Sequence, residues 1–187
     1  MDPLRGARAR HHLAVCQHDR FINERCDLVG VVDSDLKTAQ KIAKHYGTKA
    51  LTDFKQLYGS VDALSIAVPT VHHHAIAMEC LKNDIHLLVE KPITTTVEQA
   101  HDLIELANSK GRILQVGHIE RFNAAVMRLK QIVNRPVFIE GHRLGPYDPR
   151  VKDVGVVLDL MIHDLDIILQ IVNSPVKSVE GAGVAVY

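Results

Sequence analysis

Short apolar runs alternate with longer amphipathic stretches along the first 117 residues of the chain. The strand-length runs are 27–33, 63–68, 86–89 and 112–117, and the stretches with helical spacing are 36–46, 75–83 and 97–110. Near-continuous apolar runs indicate strands buried on both faces, and their alternation with helices is typical of βαβ units. The pattern therefore predicts an α/β fold built on a doubly wound parallel sheet.

Local signals mark where these helices begin and end. Thr96 and Gln99 have the spacing of a capping box at the start of the helix 97–110. Gly47 and Gly111 follow the last apolar residues of two helices, a position where glycine commonly ends a helix. The helical elements are therefore predicted together with their boundaries.

The rhythm of the chain changes after Gly117. The elements predicted there are a helix over 122–133, a strand over 137–142, a loop over 145–153, a helix over 156–172 and an alternating strand over 176–187. Such a mixture is typical of an α+β domain. We therefore expect two domains, 1–117 and 118–187, of which the second is a partial α+β domain.

The composition is that of a folded domain without an overall charge. Hydrophobic residues make up 47% of the 187 residues and charged residues 24%, as in ordinary globular proteins. The 22 basic and 22 acidic residues balance, so no net field favours nucleic acid or an anionic membrane. No apolar stretch approaches the roughly 18 residues that cross a bilayer. We therefore expect neither nucleic acid nor a membrane as a partner.

The cysteines indicate a reducing environment. Cys16, Cys26 and Cys80 are an odd number and lack CxxC spacing. No secretory signal is recognised before them. The sequence therefore predicts a cytoplasmic protein.

An acidic residue ends the first predicted strand. In a dinucleotide-binding fold this acid, here Asp33, accepts hydrogen bonds from the adenosine ribose, although a capping or solvated aspartate is the alternative. Gly6 and Ala9 fit the last two positions of the G-x-G-x-x-G/A fingerprint, with Leu4 at its first position and a helix predicted over 10–14. The residues before Leu4 cannot form the apolar strand that should lead into this fingerprint. We therefore expect an incomplete Rossmann-like sheet that lacks its first strand.

A lysine follows the third predicted strand, in Glu90-Lys91-Pro92. Open α/β sheets bind their ligands at the carboxyl ends of the strands. A cation there, Lys91, lowers the free energy of a developing alkoxide. The alternative is a surface lysine in a loop.

The helix predicted over 156–172 carries three ionisable groups on one stripe. Asp159, His163 and Asp166 lie at i, i+4 and i+7 on a helix that is otherwise strongly apolar. A histidine held by a carboxylate takes a proton from an alcohol near neutral pH. The alternatives are a structural His–Asp pair and a metal site built from the same stripe.

The run His72, His73 and His74 is the other candidate for metal binding. Adjacent helical positions point in different directions, so these three side chains cannot all ligate one ion. No second cluster of His or Cys has metal-ligand spacing. We therefore predict no metal site.

Several motifs together carry a resemblance to a known family. They are Val29-Gly30-Val31-Val32-Asp33, Ala67-Val68-Pro69-Thr70 with His73, Glu90-Lys91-Pro92, Gln115-Val116-Gly117-His118, and Asp159 with His163. On these motifs the chain resembles the Gfo/Idh/MocA family of nicotinamide-dependent sugar oxidoreductases. Segments 119–123 and 143–159 are similar to the branch of UDP-N-acetylglucosamine 3-dehydrogenases.

The resemblance implies roles for the motif residues in binding the cofactor. The implied cofactor-binding residues of a dinucleotide-binding domain 1–117 are Gly6, Ala9, Asp33, Ser34, Pro69, Thr70, His73, Glu90 and Lys91. An acid at Asp33 with Ser34 beside it, rather than a basic residue, favours NAD over NADP.

The resemblance also implies the reaction and its substrate, with residues 118–187 as part of a substrate-binding domain. Hydride passes between a sugar carbinol carbon and nicotinamide while His163, with Asp159 as its neighbour, takes the hydroxyl proton and Lys91 lies beside the alkoxide. We therefore expect the Lys91 ammonium and the His163 imidazole to converge on one carbinol.

Three further polar residues are candidates for the phosphates of a nucleotide sugar. They are Arg121, Asn123 and Arg143, because arginine pairs with phosphate in a fixed fork. The alternative is that these three are polar surface residues without a role in binding.

Compared with the family, the chain is expected to lack segments at both ends. Family members begin with an apolar strand and continue through an open sheet that usually forms homo-oligomers. The sequence therefore leaves two functions open: a sugar oxidoreductase, or a non-catalytic remnant that acts in binding or association.

Overall fold

The computed structural model describes residues 11–16, 26–144, 155–172 and 174–184. The chain divides into two compact units, the first ending at Gly117 and including Asp159, the second beginning at His118 and resuming at Leu160. In the described residues no helix has the length and apolar character needed to span a membrane.

The first unit is built on a six-stranded sheet with three α-helices. Its strands are β1 His11–Cys16, β2 Cys26–Val32, β3 Lys49–Leu51, β4 Ala63–Ile66, β5 His86–Val89 and β6 Leu114–Val116. Its helices are α1 Leu36–Tyr46, α2 His73–Lys82 and α3 Val97–Lys110, with short 3-10 helices at Phe54–Leu57 and Thr70–His72. The helices and four of these strands were predicted from the sequence and are confirmed, whereas β1 and the short edge strand β3 were not predicted.

The sheet has the order β3-β2-β1-β4-β5-β6, and each of its neighbouring pairs is parallel. This is the doubly wound order of dinucleotide-binding folds, whose direction of winding reverses between β1 and β4. The predicted α/β architecture is confirmed.

The expectation that the sheet lacks its first strand is wrong. The backbone of His11–Cys16 forms β1 in the centre of the sheet, where Leu13 pairs with Leu28 of β2 and Ala63 of β4. The helix expected over 10–14 is therefore also wrong in its described residues, 11–14. The physical reason is that a vacant central position would leave the facing edges of β2 and β4 unpaired, and the apolar run that begins at Leu13 satisfies both. Gly6 and Ala9 lie outside the described residues.

The helix boundaries follow from local chemistry. The Thr96 cap and the glycines at the two helix ends were predicted, whereas the Asp35 cap was not. The Asp35 side chain caps α1 by accepting a hydrogen bond from the Lys37 amide at 3.1 Å, and Thr96 caps α3 by accepting one from the Gln99 amide at 3.3 Å. Gly47 and Gly111 end these helices in the left-handed region, at φ 65° and 62°. These caps fix where α1 and α3 begin and end.

The hydrophobic core lies between the sheet and the helices α2 and α3. Most of its members are apolar side chains of β4, β5, α2 and α3 that are almost completely buried, among them Leu64, Ile66, Leu81, Val89 and Leu103. Burying side chains of this size stabilises the fold by roughly 1.5 to 3 kcal/mol each. The core therefore fixes the strand ends that carry the candidate site.

In its described part the second unit consists of helices and irregular segments. Its helices are α4 Ala124–Ile132 and α5 Ile162–Val172, preceded by a 3-10 helix at Ile119–Phe122 and a π-helical turn at Val157–Met161 whose last residues belong to this unit. The helices predicted over 122–133 and 156–172 are confirmed. The loop predicted over 145–153 lies outside the described residues.

The two strands predicted for the second domain are wrong within the described residues. Segments 137–142 and 176–184 are irregular and largely exposed, with Val137 and Phe138 at 101% and 81% of full exposure. An alternating pattern favours a strand only where a neighbouring strand supplies backbone partners. Among the described residues neither segment has such a partner.

We predict that Gly111→Ala lowers the free energy of unfolding by about 1 kcal/mol, because alanine resists the left-handed φ of 62°. Gly111→Asn is the matched control, since asparagine tolerates this region better. Urea unfolding followed by circular dichroism measures both. Equal stability of the alanine variant and the wild type would contradict this account of the α3 terminus.

Candidate active site

Polar residues follow the strands of the first unit at one edge of its sheet. Asp33 comes directly after β2, Lys91 two residues after β5 and Gly117 directly after β6. Thr70 opens the 3-10 helix that follows β4. Because the strands are parallel, their carboxyl ends meet at the same edge, which is where open α/β sheets bind ligands. The structure thus brings the predicted site residues Asp33, Thr70 and Lys91 to one edge, together with Gly117, which was not predicted as a site residue.

Asp33 is held in the turn between β2 and α1. Asp33 is 8% exposed, and its Oδ1 accepts a hydrogen bond from the Asp35 amide at 2.8 Å. Its own amide donates to the Leu51 carbonyl of β3 at 3.1 Å. Ser34 beside it is exposed. A carboxylate has about four lone-pair positions, so these contacts are compatible with further hydrogen bonds from ribose hydroxyls.

Lys91 makes an ion pair with Asp159. The Lys91 Nζ lies 2.8 Å from Asp159 Oδ1 and donates a second hydrogen bond to the Asp159 carbonyl at 2.6 Å. The two side chains are only 20% and 23% exposed, so solvent screens this pair less than a surface pair. Both residues belong to the first unit. This geometry argues against the alternative that Lys91 is a surface lysine in a loop.

Glu90 packs against a glycine. The Glu90 amide donates to the Ile66 carbonyl at 2.9 Å, which joins the end of β5 to β4. A Cβ at Gly117 would meet the Glu90 carboxylate at 3.0 to 3.1 Å, so a larger residue here would require that carboxylate to shift by a few tenths of an ångström. Gly117 was missed as a site residue, although it stands in the motif that carries the family resemblance.

His73 lies beneath this edge, whereas the resemblance implied that it contributes to cofactor binding. The residue is 1% exposed, with Nδ1 2.9 Å from the Pro92 carbonyl and Nε2 2.8 Å from the Val68 carbonyl. Thr70 is also buried, and Pro69 is exposed. The structure therefore places both ring nitrogens of His73 on protein carbonyls.

Two arginines hold α5 in the second unit. Arg121 Nε donates to Asp166 at 2.8 Å, and Arg143 Nε and Nη2 donate to Asp164 at 2.7 and 2.8 Å. Asn123 caps α4 by accepting from the Ala125 amide at 3.0 Å. All three residues predicted to contact phosphate thus have protein partners in this structure.

These contacts shift the acidity of the two carboxyls. Burial by itself raises the pKa of Asp166, but hydrogen bonds from Arg121 and Gln170 and nearby positive charges outweigh it and lower that pKa. The Arg143 hydrogen bond is the main cause of the lowered pKa of Asp164. Both carboxylates are therefore stabilised in their charged form.

The predicted stripe of three ionisable groups is divided among different partners. Asp159 lies in the π-helical turn and contacts Lys91, whereas Asp166 lies in α5 and contacts Arg121. His163 lies in the first turn of α5, in the second unit. No group of three or more His, Cys, Asp or Glu side chains suited to hold a metal ion occurs in the described part of the chain.

Sheet order, motifs and sequence comparison agree on the family. Residues 5–118 match the Gfo/Idh/MocA family, described as an oxidoreductase family with an NAD-binding Rossmann fold. The chain belongs to this family. The part of the chain that contains Asp33 and Lys91 therefore belongs to an NAD-binding Rossmann fold.

Two curated dehydrogenases and one solved structure illustrate the likeness of this Gfo/Idh/MocA chain. The UDP-N-acetylglucosamine 3-dehydrogenase of Acidithiobacillus ferrooxidans is 37% identical over 159 residues, which cover 84% of this chain and 51% of that protein. The inositol 2-dehydrogenase of Rubrobacter xylanophilus is 32% identical over 148 residues, covering 74% and 43%. A structure of the Acidithiobacillus enzyme superposes with a TM-score of 0.85 at 33% identity, over 94% of this chain and 60% of that one. The chain spans about half the length of the curated relatives it matches.

We predict that Asp166→Asn destabilises the protein by about 1 kcal/mol at pH 7, because it removes a charged hydrogen-bond acceptor from Arg121. A carboxyl whose pKa is lowered by folding stabilises the fold above its unfolded pKa. The difference in the free energy of unfolding between the wild type and the variant should therefore become smaller only as the pH falls below about 3.9.

Urea unfolding between pH 7 and pH 3 measures this difference. Glu105→Gln, which removes one negative charge from an exposed position of α3, is the control. A loss that is the same at every pH would contradict the ion-pair explanation.

Proposed function

We propose that the protein transfers hydride between a secondary alcohol of a sugar, specifically a nucleotide sugar, and NAD. The observation that carries this proposal is the Lys91 ammonium at the carboxyl edge of an NAD-binding fold, held 2.8 Å from the Asp159 carboxylate. The finer choice of a UDP-sugar is supported by the 37% identity to a UDP-N-acetylglucosamine 3-dehydrogenase.

The residues at this edge fit a nicotinamide dinucleotide. When bound, NAD supplies the hydride acceptor. Asp33 at the end of β2 is suited to accept hydrogen bonds from the ribose hydroxyls, and its negative charge disfavours the additional phosphate of NADP. Pro69, Thr70 and Glu90 follow the neighbouring strands β4 and β5 at the same edge. These positions support the preference for NAD.

Lys91 acts on the sugar oxygen in this proposal. As the hydroxyl proton leaves, negative charge develops on the oxygen, and a fixed ammonium lowers the free energy of that charge. Asp159 contributes by orienting the ammonium through its carboxylate and its carbonyl. The partly buried setting strengthens this effect because less water screens it.

His163 takes the hydroxyl proton in this proposal. The C–H bond of the carbinol breaks as its electron pair leaves with the hydride, the O–H bond breaks, and a carbonyl forms. The imidazole is suited to this because it exchanges protons near neutral pH. In the reverse direction His163 returns the proton to the oxygen.

The arginines and the association state belong to the same proposal. Phosphate recognition by Arg121 and Arg143 requires exchange of their aspartate partners for phosphate oxygens, which offer the same bidentate geometry. Asn123 would bind phosphate while its side chain still caps α4.

Association of several copies is supported by the exposed apolar side chains of segment 137–142. A reducing cytoplasm is supported by the free thiol of Cys26.

We predict that Lys91→Ala and His163→Ala each abolish NADH formation while the Kd for NAD changes little, because both residues act on the sugar rather than on the nucleotide. A panel of UDP-sugars is assayed by the absorbance of NADH, and NAD binding by calorimetry. Lys110→Ala, which removes a lysine at the C-terminal end of α3, is the matched control.

The outcomes separate the two candidate functions. Turnover by the wild type and the control, but not by the two variants, supports the proposal. NAD binding without turnover of any sugar by the wild type would contradict it and favour a non-catalytic binding protein. Loss of NAD binding in both variants would contradict the assigned roles.

A further inference from the structure

One buried histidine connects two strand ends of the candidate site. The His73 ring lies between the Val68 carbonyl, after β4, and the Pro92 carbonyl, after β5. Pro92 directly follows Lys91 in the chain. The imidazole therefore joins the segment after β4 to the residue next to the proposed catalytic ammonium.

Both neighbours of the ring nitrogens are hydrogen-bond acceptors. A ring nitrogen donates to a carbonyl only when it carries a hydrogen, so a neutral imidazole donates to one of them and a doubly protonated ring to both. The residue is 1% exposed, and a buried carbonyl that loses its donor has no water to replace it. Replacing His73 is therefore expected to cost more stability than replacing a surface histidine.

The backbone around Lys91 is tied on both sides. On the N-terminal side the Glu90 amide donates to the Ile66 carbonyl at 2.9 Å. On the C-terminal side the Pro92 carbonyl lies 2.9 Å from His73 Nδ1. These two contacts bracket Lys91, whose side chain then reaches Asp159.

We propose that His73 is a positioning residue that donates a hydrogen bond from Nδ1 to the Pro92 carbonyl and thereby fixes the Lys91 ammonium for the reaction. The proposal rests on the function proposed above for Lys91, but its structural part concerns the placement of Lys91 alone. It assigns His73 a role beneath the site instead of one in contact with the cofactor.

Two substitutions of His73 test its two hydrogen bonds separately. The amide nitrogen of asparagine reaches about as far as Nδ1 of histidine, whereas that of glutamine reaches about as far as Nε2. His73→Asn therefore retains a donor toward Pro92, and His73→Gln retains one toward Val68. His101→Asn, on the exposed face of α3, is the control for the substitution itself.

The first measurement is chemical labelling of lysines by reductive methylation with formaldehyde and a borane reductant. In His73→Gln the rate at Lys91 should rise roughly fivefold, the effect of losing one hydrogen bond, and in His73→Asn it should stay near the wild-type rate. The exposed Lys55 and Lys110 are internal references whose rates should not change. Equal labelling of Lys91 in the two variants would overturn the proposal.

A measurement on the wild type keeps the proposal testable if the variants do not fold. A long-range 15N–1H correlation spectrum of the His73 ring shows which nitrogen carries hydrogen. We expect a hydrogen on Nδ1. A ring with hydrogen on Nε2 alone would overturn the proposal.

Turnover measurements then separate this proposal from the proposed function. With a sugar substrate, kcat of His73→Gln should fall about tenfold while KM for NAD changes little, and His73→Asn should retain most of kcat. A stability defect alone would not distinguish the two variants in this way. Absence of turnover in the wild type would contradict the proposed function, while the labelling and the spectrum would still decide the placement of Lys91.

Discussion

Backbone pairing of β1 with both β2 and β4 is the constraint on which the first unit depends. It closes the centre of the sheet, so that β2 and β4 each have a partner on both sides. A parallel sheet completed in this way presents all its carboxyl ends at one edge. Asp33 and Lys91 lie at that edge because the pairing aligns β2 and β5 across the sheet, not because they are near each other in the chain.

The chemistry at the edge depends on how a cation is held. Lys91 has a flexible side chain, and a lysine in a loop would sample many positions. Here its backbone neighbours are hydrogen-bonded on both sides, and its ammonium contacts the carboxylate and the carbonyl of Asp159. Such prior fixing is what makes a charge effective in stabilising an alkoxide, because no reorganisation is needed during the reaction.

Elements defined by local chemistry could be predicted from the sequence, and those defined by distant partners could not. The caps Asp35 and Thr96 act on amides within three residues, so α1 and α3 follow from the sequence. The strand β1 depends on neighbours from β2 and β4. A helix was expected over 10–14 because these residues follow the Gly6 and Ala9 match to the glycine fingerprint. The strands expected over 137–142 and 176–187 were wrong in their described parts for the converse reason, since a pattern does not supply a partner strand.

The same distinction applies to the candidate site. Lys91 could be predicted as a site residue because it follows a strand and stands in the motif Glu90-Lys91-Pro92. Asp159 could be predicted because, with His163, it is one of the motifs that resemble the family. The contact of His73 with Pro92 spans nineteen residues, and the contact of Gly117 with Glu90 joins two strand ends, so neither follows from spacing. The ion pairs of Arg121 and Arg143 with α5 were likewise beyond prediction.

The central claim is that Lys91 lies where the cofactor and substrate react at the carboxyl edge of the sheet. Protection of lysines from reductive methylation by saturating NAD tests it most directly. The account predicts that bound NAD slows methylation of Lys91 and leaves that of the exposed Lys55 unchanged. Binding of NAD with no change in the methylation of Lys91 would contradict it.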